Sequence, residues 1–322
     1  MPAVKSADML SILAITFPIF ALVGLGYVLT RIEVFDLRDM TALGNFVMYL
    51  ALPSLLFRAT ATQPFQDLID PGFFLAMLCA GLGTQLLMWI TLRLRGLGPA
   101  RRAVGVLGTA TPNSAFLAFP IMQSVYPDYA PSILAMCLLV ENFFLNPIGL
   151  TLIEAANPRE RSTPLHTIAI IAWSVIRRPM ISGLILGAVV SLLGIPLPYP
   201  ADRALELLSY AASPIALFFI GGSLVGLPMQ GNLRLAVVIS AFKLLVHPLV
   251  AFGILSAFVV LGFPVPKGDM AIALILSTAM PIFGVFPLLT QNTEHSGAAA
   301  LSVMISTVAA FFTLTALMSF LV

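Results

Sequence analysis

Long apolar runs, broken at intervals by charges, prolines and glycines, recur from one end of the chain to the other. They predict helices near 9–30, 42–61, 72–94, 102–125, 131–154, 168–194, 203–227, 233–262, 268–291 and 296–321. A bilayer hydrocarbon core about 30 Å thick is crossed by roughly 20 apolar helical residues, so these runs have the length to span it. Lipid offers backbone N–H and C=O groups no water partner, which leaves helices and closed barrels as the spanning structures. A barrel strand would read as about ten residues of alternating polarity, whereas these runs are continuous. The pattern predicts an all-α polytopic membrane protein of ten transmembrane helices.

Composition supports the same class. Apolar residues make up 59% of the 322 and charged residues only 9%, with a mean hydropathy of +1.03. A soluble domain carries roughly a quarter charged residues, and a soluble fold could not hide this much apolar surface. The run from Met9 to Leu29 is long, lacks a small-x-small cleavage pattern and is followed by similar runs, so it reads as a membrane helix rather than a secretory leader. The net charge of +2 is spread thinly, with no basic cluster beyond Arg101-Arg102 and Arg177-Arg178, and predicts no nucleic-acid partner.

Those arginines instead predict orientation. With the N-terminus outside, eleven Lys and Arg fall in cytoplasmic loops (Arg31, Arg38, Arg93, Arg95, Arg101, Arg102, Arg159, Arg161, Arg177, Arg178, Arg234). Four fall outside: Lys5, Arg58, Arg203 and Lys267. Basic residues favour the cytoplasmic side, so both termini are expected outside.

An odd number of spans per half makes two halves antiparallel, and the sequence carries signs of such a repeat. Pro18 and Pro179, Gly26 and Gly187, and Pro53-Ser-Leu-Leu-Phe57 and Pro214-Ile-Ala-Leu-Phe218 pair at an offset of 161. Phe116-Leu-Ala-Phe-Pro120 and Phe283-Gly-Val-Phe-Pro287 pair at 167, as a six-residue insertion would produce. The expected organisation is a five-helix repeat over 1–155, a cytoplasmic linker over 156–178 and a second five-helix repeat over 179–322.

The fourth and ninth segments carry the candidate chemistry. Each holds two prolines in mid-run, Pro112 and Pro120 in the fourth, Pro281 and Pro287 in the ninth. Proline removes a donor and collides with the preceding turn, so both segments are expected to break. Irregular backbone at membrane depth persists only where it is buried in protein or lines a cavity. Paired interruptions in two inverted halves mark a transporter's midplane site, where half-helix N-termini favour an anion. Thr111, Asn113 and Ser114 supply polar groups at the first break, and Ser277 and Thr278 at the second. Asn113 leads as a ligand contact, since an amide both donates and accepts; an interhelical hydrogen bond is its structural alternative.

Ionisable groups inside spans are costly and tend to be functional. Glu141 lies in the fifth segment with Asn142 and Asn146, and Lys243 and His247 share a face of the eighth. Lys243 is a candidate counter-charge for an acidic substrate or for Glu141, and Glu141 and His247 are candidates for carrying a coupled proton. The bland alternatives are snorkelling and a position near a helix end. Catalysis has little footing: there is no His-Glu-x-x-His, no Gly-rich phosphate loop, and Cys79 and Cys137 sit in apolar runs. No cofactor or metal is expected, and the protein is not expected to be an enzyme. Gly183 with Gly187 and Gly222 with Gly226 have small-xxx-small spacing, which suits internal packing or a homodimer seam.

Several of these motifs together resemble the auxin efflux carrier family, over nearly the whole chain. They are Leu52-Pro-Ser-Leu-Leu-Phe57, Pro112-Asn-Ser-Ala-Phe-Leu-Ala-Phe-Pro120, Ser213-Pro-Ile-Ala-Leu-Phe218 with Gly221, Lys243 near Pro248, and the Pro281-to-Pro287 stretch. The short central loop is similar to that of compact bacterial members of the malonate or dicarboxylate transporter type. The resemblance implies the bile acid:sodium symporter-like fold, with a scaffold from helices 1, 2, 6 and 7 and a transport domain from helices 3–5 and 8–10. It implies substrate binding where helices 4 and 9 cross, at Asn113, Pro112 and Pro281, with Pro120 and Pro287 beside them, and an elevator movement in a bacterial inner membrane. The acidic sodium-binding residue of bile acid symporters has no counterpart between Ser277 and Pro287, so a proton is favoured over sodium as coupling ion.

The expected function is secondary active transport of a small organic anion, with a dicarboxylate such as malonate as the specific substrate and membrane lipid as the surroundings. The alternatives are a gated pore or facilitator for such anions, an auxin-like monocarboxylate efflux carrier, and a membrane-embedded receptor or enzyme.

Overall fold

The computed structural model describes residues 9–62, 69–156, 177–227 and 231–321. Most of the expected linker, with Arg159, Arg161 and His166, lies outside the described residues, as do Lys5 and the start of the sixth predicted segment. Every regular element among the described residues is helical. In chain order these are α1 (Met9–Arg31), α2 (Leu37–Ala61), α3 (Pro71–Leu94), α4 (Pro99–Ala110), α5 (Ser114–Val125) and α6 (Ala130–Ala155). Then come α7 (Pro179–Leu192), α8 (Tyr199–Ser223), α9 (Leu233–Leu261), α10 (Met270–Thr278), α11 (Phe286–Leu289) and α12 (Ser296–Leu321). Seven of them, α1, α2, α3, α6, α8, α9 and α12, are long and apolar enough to cross a membrane; α5 and α7 are shorter apolar helices.

Local chemistry sets the starts. α2 begins at Leu37, five residues before the predicted boundary, because Asp36 accepts from the backbone of Arg38 and Asp39 while the Asp39 carboxylate accepts from the Asp36 N–H. Asp70 caps α3 through Phe73 N–H at 2.8 Å, and Asn232 caps α9 through Leu235 N–H at 3.1 Å. Pro71, Pro99 and Pro179 each open a helix, where a missing N–H costs nothing.

Four prolines farther along have a different consequence. Pro53, Pro120, Pro147 and Pro248 each follow a five-residue wide π-type turn: Val47–Ala51, Ser114–Ala118, Glu141–Leu145 and Phe242–Val246. A helical proline strikes the carbonyl four residues earlier. That carbonyl belongs to Tyr49, Phe116, Phe143 or Leu244, the middle residue of the wide turn in every case. Opening the turn relieves the collision without ending the helix, and such bulges often sit at functional sites. Pro18 and Pro214 are accommodated within regular helix instead.

Side-chain packing places α1 against α8 and α2 against α7, while α3 packs on α4 and α9, α4 on α6, and α9 on α12. The two pairs α1–α8 and α2–α7 approach through glycine. A Cβ on Gly26 would lie 2.0 Å from the Phe218 carbonyl oxygen, and one on Gly187 would lie 2.3 Å from that of Phe57. Gly183 likewise faces Pro53, so the Gly183–Gly187 spacing is used within the chain, between α7 and α2. Leu186, Leu249, Val260 and Phe320 stand exposed on the outside, as a lipid-facing surface requires.

Candidate functional site

The two doubled-proline stretches meet. α4 stops at Ala110, Thr111 turns extended, and helix resumes at Ser114. α10 stops at Thr278, and the chain stays irregular until Phe286. Pro112 pairs antiparallel with Ile282, and the Asn113 N–H donates to the Pro281 carbonyl at 2.8 Å. Two short extended pieces therefore cross back to back and satisfy each other where neither helix can. The first proline of each pair, Pro112 or Pro281, lies in the irregular piece. The second, Pro120 or Pro287, is the second residue of a continuing α-helical stretch.

Neighbouring helices brace both sides. On the α4–α5 side, Thr111 donates to the Asn146 side-chain oxygen at 3.0 Å and the Ser114 hydroxyl donates to Glu141. Glu141 and Asn142 both belong to the wide turn of α6, and Asn146 follows it. Gln85 of α3 donates to the Leu145 carbonyl at 2.9 Å, at the last residue of that turn. On the α10–α11 side, Ile282 N–H donates to Ser306 of α12 at 3.3 Å. Lys243, in the wide turn of α9, donates to the Thr278 carbonyl at 2.5 Å and lies 3.0 Å from His247 Nδ1.

These groups are almost wholly enclosed. Lys243, His247, Ser277 and Thr278 are 0% exposed, and Thr111, Asn113, Ser114 and Glu141 at most 4%. Glu141 and Lys243 are close enough to interact electrostatically, with no direct ion pair between them. Two polar atoms, Ser277 Oγ and His247 Nε2, are buried with no hydrogen-bond partner. A buried unsatisfied polar atom costs about 1–3 kcal/mol, so each is a local energetic cost at the crossing. Among the described residues no group of three or more His, Cys, Asp and Glu converges as a metal site.

All twelve residues singled out from the sequence lie at or beside this crossing. Pro147 and Pro248 set the wide turns that carry Glu141 and Lys243. Three participants carried no usable local signal. Arg178, which the charge pattern assigned to topology, donates to Asn142 at 2.5 Å. Ser306 and Gln85 were lone polar residues in apolar runs, and only the tertiary packing gives them partners.

Comparison with known proteins decides the family. The family described as "Membrane transport protein" matches residues 11–319. The chain belongs to this family, the auxin efflux carrier family. It is 26% identical over 326 residues to a Rhizobium meliloti protein named "Putative malonate transporter", covering 96% of each. It is 25% identical over 224 residues to the "Uncharacterized transporter YfdV" of Escherichia coli, covering 68% of this chain and 70% of that one. A mouse "Lysosomal cholesterol signaling protein" is 27% identical over 285 residues, 83% of this chain and 32% of that one. The chain is an integral membrane transport protein and not an enzyme.

Proposed function

We propose that this protein is a secondary carrier for a small organic anion, with a dicarboxylate such as malonate as substrate. The observation that carries the reading is the back-to-back crossing at Asn113 and Pro281, enclosed by polar side chains in an otherwise apolar helical body. α5 begins at this crossing, and the first N–H groups of a helix lack intrahelical acceptors, which suits a carboxylate. α11 is only four residues long and offers far less of a helix end. Lys243, behind the Thr278 carbonyl, supplies positive charge on that side instead. Two unlike positive features suit the two carboxylates of a dicarboxylate. The named malonate transporter among the relatives supports the same substrate class.

Counting α4–α5 and α10–α11 each as one interrupted span makes ten, which we read as two antiparallel halves with both termini outside. The glycine contacts support this repeat: Gly26 against Phe218 and Gly187 against Phe57 exchange under the 161-residue offset. In this reading α1, α2, α7 and α8 form the scaffold, and α3–α6 with α9–α12 carry the site through the membrane as an elevator. Among the described residues few polar contacts cross between the two groups: Arg178 at the start of α7 donates to Asn142 of α6 at 2.5 Å, Ser213 to Gln123 at 3.1 Å and Thr315 to Thr16 at 3.3 Å. A largely apolar seam suits sliding. The proton is the proposed coupling ion, carried at Glu141 or His247.

Counterflow of labelled malonate in proteoliposomes tests the reading. Saturable exchange, lost in Asn113→Ala, is the expected result. Flux that rises without saturation would favour the pore instead, and absence of exchange with any small mono- or dicarboxylate would end the carrier reading.

A further inference from the structure

Away from the crossing, a cavity of about 150 Å³ opens at one end of α3, α4 and α6, between Trp89, Arg102, Leu152 and Ala156. Arg102 is half-buried, and its Nε is enclosed without a hydrogen-bond partner. Its guanidinium lies 5.7 Å from the Trp89 ring centre, and that of Arg93 lies 4.9 Å from the same ring. Two like charges thus converge on one indole. Stacking on an aromatic face offsets part of the cost of enclosing a cation, but it leaves the guanidinium donors free.

On the α3 and α4 side of this cavity the charge is all positive, while Glu154 of α6 is the acidic residue nearest in sequence to its lining. Arg93, Arg95, Arg101 and Arg102 lie within ten residues, and no Asp or Glu occurs anywhere from Pro71 to Pro127. Among the described residues none of the four arginines takes part in an ion pair. The walls are apolar helix ends, and a tryptophan marks the headgroup level of a bilayer. A basic pocket between membrane helices at that level is suited to an anionic headgroup, and a guanidinium fork matches phosphate oxygens in pairs.

We infer that this cavity is a binding site for the phosphate of an anionic phospholipid, held by Arg102 with Arg93 and seated against Trp89. The lipid's acyl chains run down the apolar flank of α3, where Leu86 and Ile90 are exposed. The site lies on α3, α4 and α6 and does not depend on what the crossing binds. A headgroup there ties the ends of these three helices to one leaflet.

Native mass spectrometry of the full chain in mild detergent, titrated with phosphatidylglycerol or phosphatidylcholine, tests the site. The expected result is one tightly retained phosphatidylglycerol, with phosphatidylcholine bound about tenfold more weakly. Arg102→Gln should weaken phosphatidylglycerol about fivefold to tenfold. Ala156→Leu, which narrows the cavity without touching a charge, should do the same. Arg95→Gln removes an equal charge from the end of α3, seven residues before Arg102, and should stay within about twofold of the parent. Equal losses in Arg95→Gln and Arg102→Gln would reduce the effect to diffuse charge and overturn the site, as would an unchanged Ala156→Leu. Displacement of the lipid by equimolar inorganic phosphate would overturn the lipid as its source.

Discussion

The backbone N–H of Asn113 donates to the carbonyl of Pro281 across 2.8 Å, joining two irregular pieces that lie 168 residues apart in sequence. The bond uses main-chain atoms only, and the Asn113 side chain is not consumed by it. The two roles are therefore separable at one residue: the backbone holds the crossing, and the amide is the group to which the proposed function assigns the solute contact.

Asn113→Ala should accordingly leave the fold intact and remove the solute contact. A hydrogen bond to a charged group is worth about 1.5–3 kcal/mol, which corresponds to roughly 10- to 150-fold in affinity. The expected outcome is a loss of that order in malonate binding with thermal unfolding in detergent close to the parent. A large fall in melting temperature, or unchanged affinity, would contradict this assignment.

Gly26 and Gly187 make a prediction about stability. Each added Cβ would fall within 2.3 Å of a carbonyl oxygen on the facing helix, so α1–α8 or α2–α7 must separate. Overpacking of this kind costs about 1–3 kcal/mol. Gly26→Ala and Gly187→Ala should each lower the melting temperature by several degrees. Gly24→Ala, where nothing lies within 4 Å, should not. Similar behaviour of all three would remove the close approach as a stability determinant.

Much of this arrangement is legible in the residues themselves. The breaks at 111–113 and after Thr278 follow from Pro112 and Pro281, because a missing donor and a ring clash are local facts. The start of α2 at Leu37 was within reach too, since Asp36 and Asp39 form a capping box, but the apolar run conceals it. The wide turns are harder. Pro18 and Pro214 sit inside regular helix while Pro53, Pro120, Pro147 and Pro248 do not, so a proline alone does not announce which solution the helix takes. Arg178 and Ser306 were beyond reach for a different reason. Their partners, Asn142 and Ile282, come from other helices, and pairings of that kind are set by packing rather than by any local pattern.

Glu141 governs the expected pH dependence. Ser114 donates to it beside the crossing, and Lys243 lies within electrostatic reach. Protonating the carboxylate leaves the positive charge of Lys243 unopposed, so anion binding should tighten as pH falls, by at most about tenfold per pH unit for one linked proton. Glu141→Gln should bind malonate with a flat pH profile and still exchange it. A parental pH profile in that variant would move the coupling proton elsewhere, with His247→Gln the next variant to measure.

In the proposed dicarboxylate reading, Lys243 is the residue expected to separate a dicarboxylate site from a monocarboxylate one. Its ammonium donates to the Thr278 carbonyl and faces His247 Nδ1, and all three residues lie on the side of the crossing that lacks a long helix N-terminus. If one carboxylate meets the start of α5 and the other this ammonium, Lys243→Met should weaken malonate roughly 10- to 100-fold. A monocarboxylate of similar size needs only the α5 end, so its affinity should change less than about threefold. Ligand-dependent thermal shifts, measured for both anions on parent and variant, give the ratio directly and report folding in the same trace. Equal losses for the two anions would mean that Lys243 acts through the Thr278 carbonyl and the geometry of the break. A larger loss for the monocarboxylate would reverse the proposed substrate class.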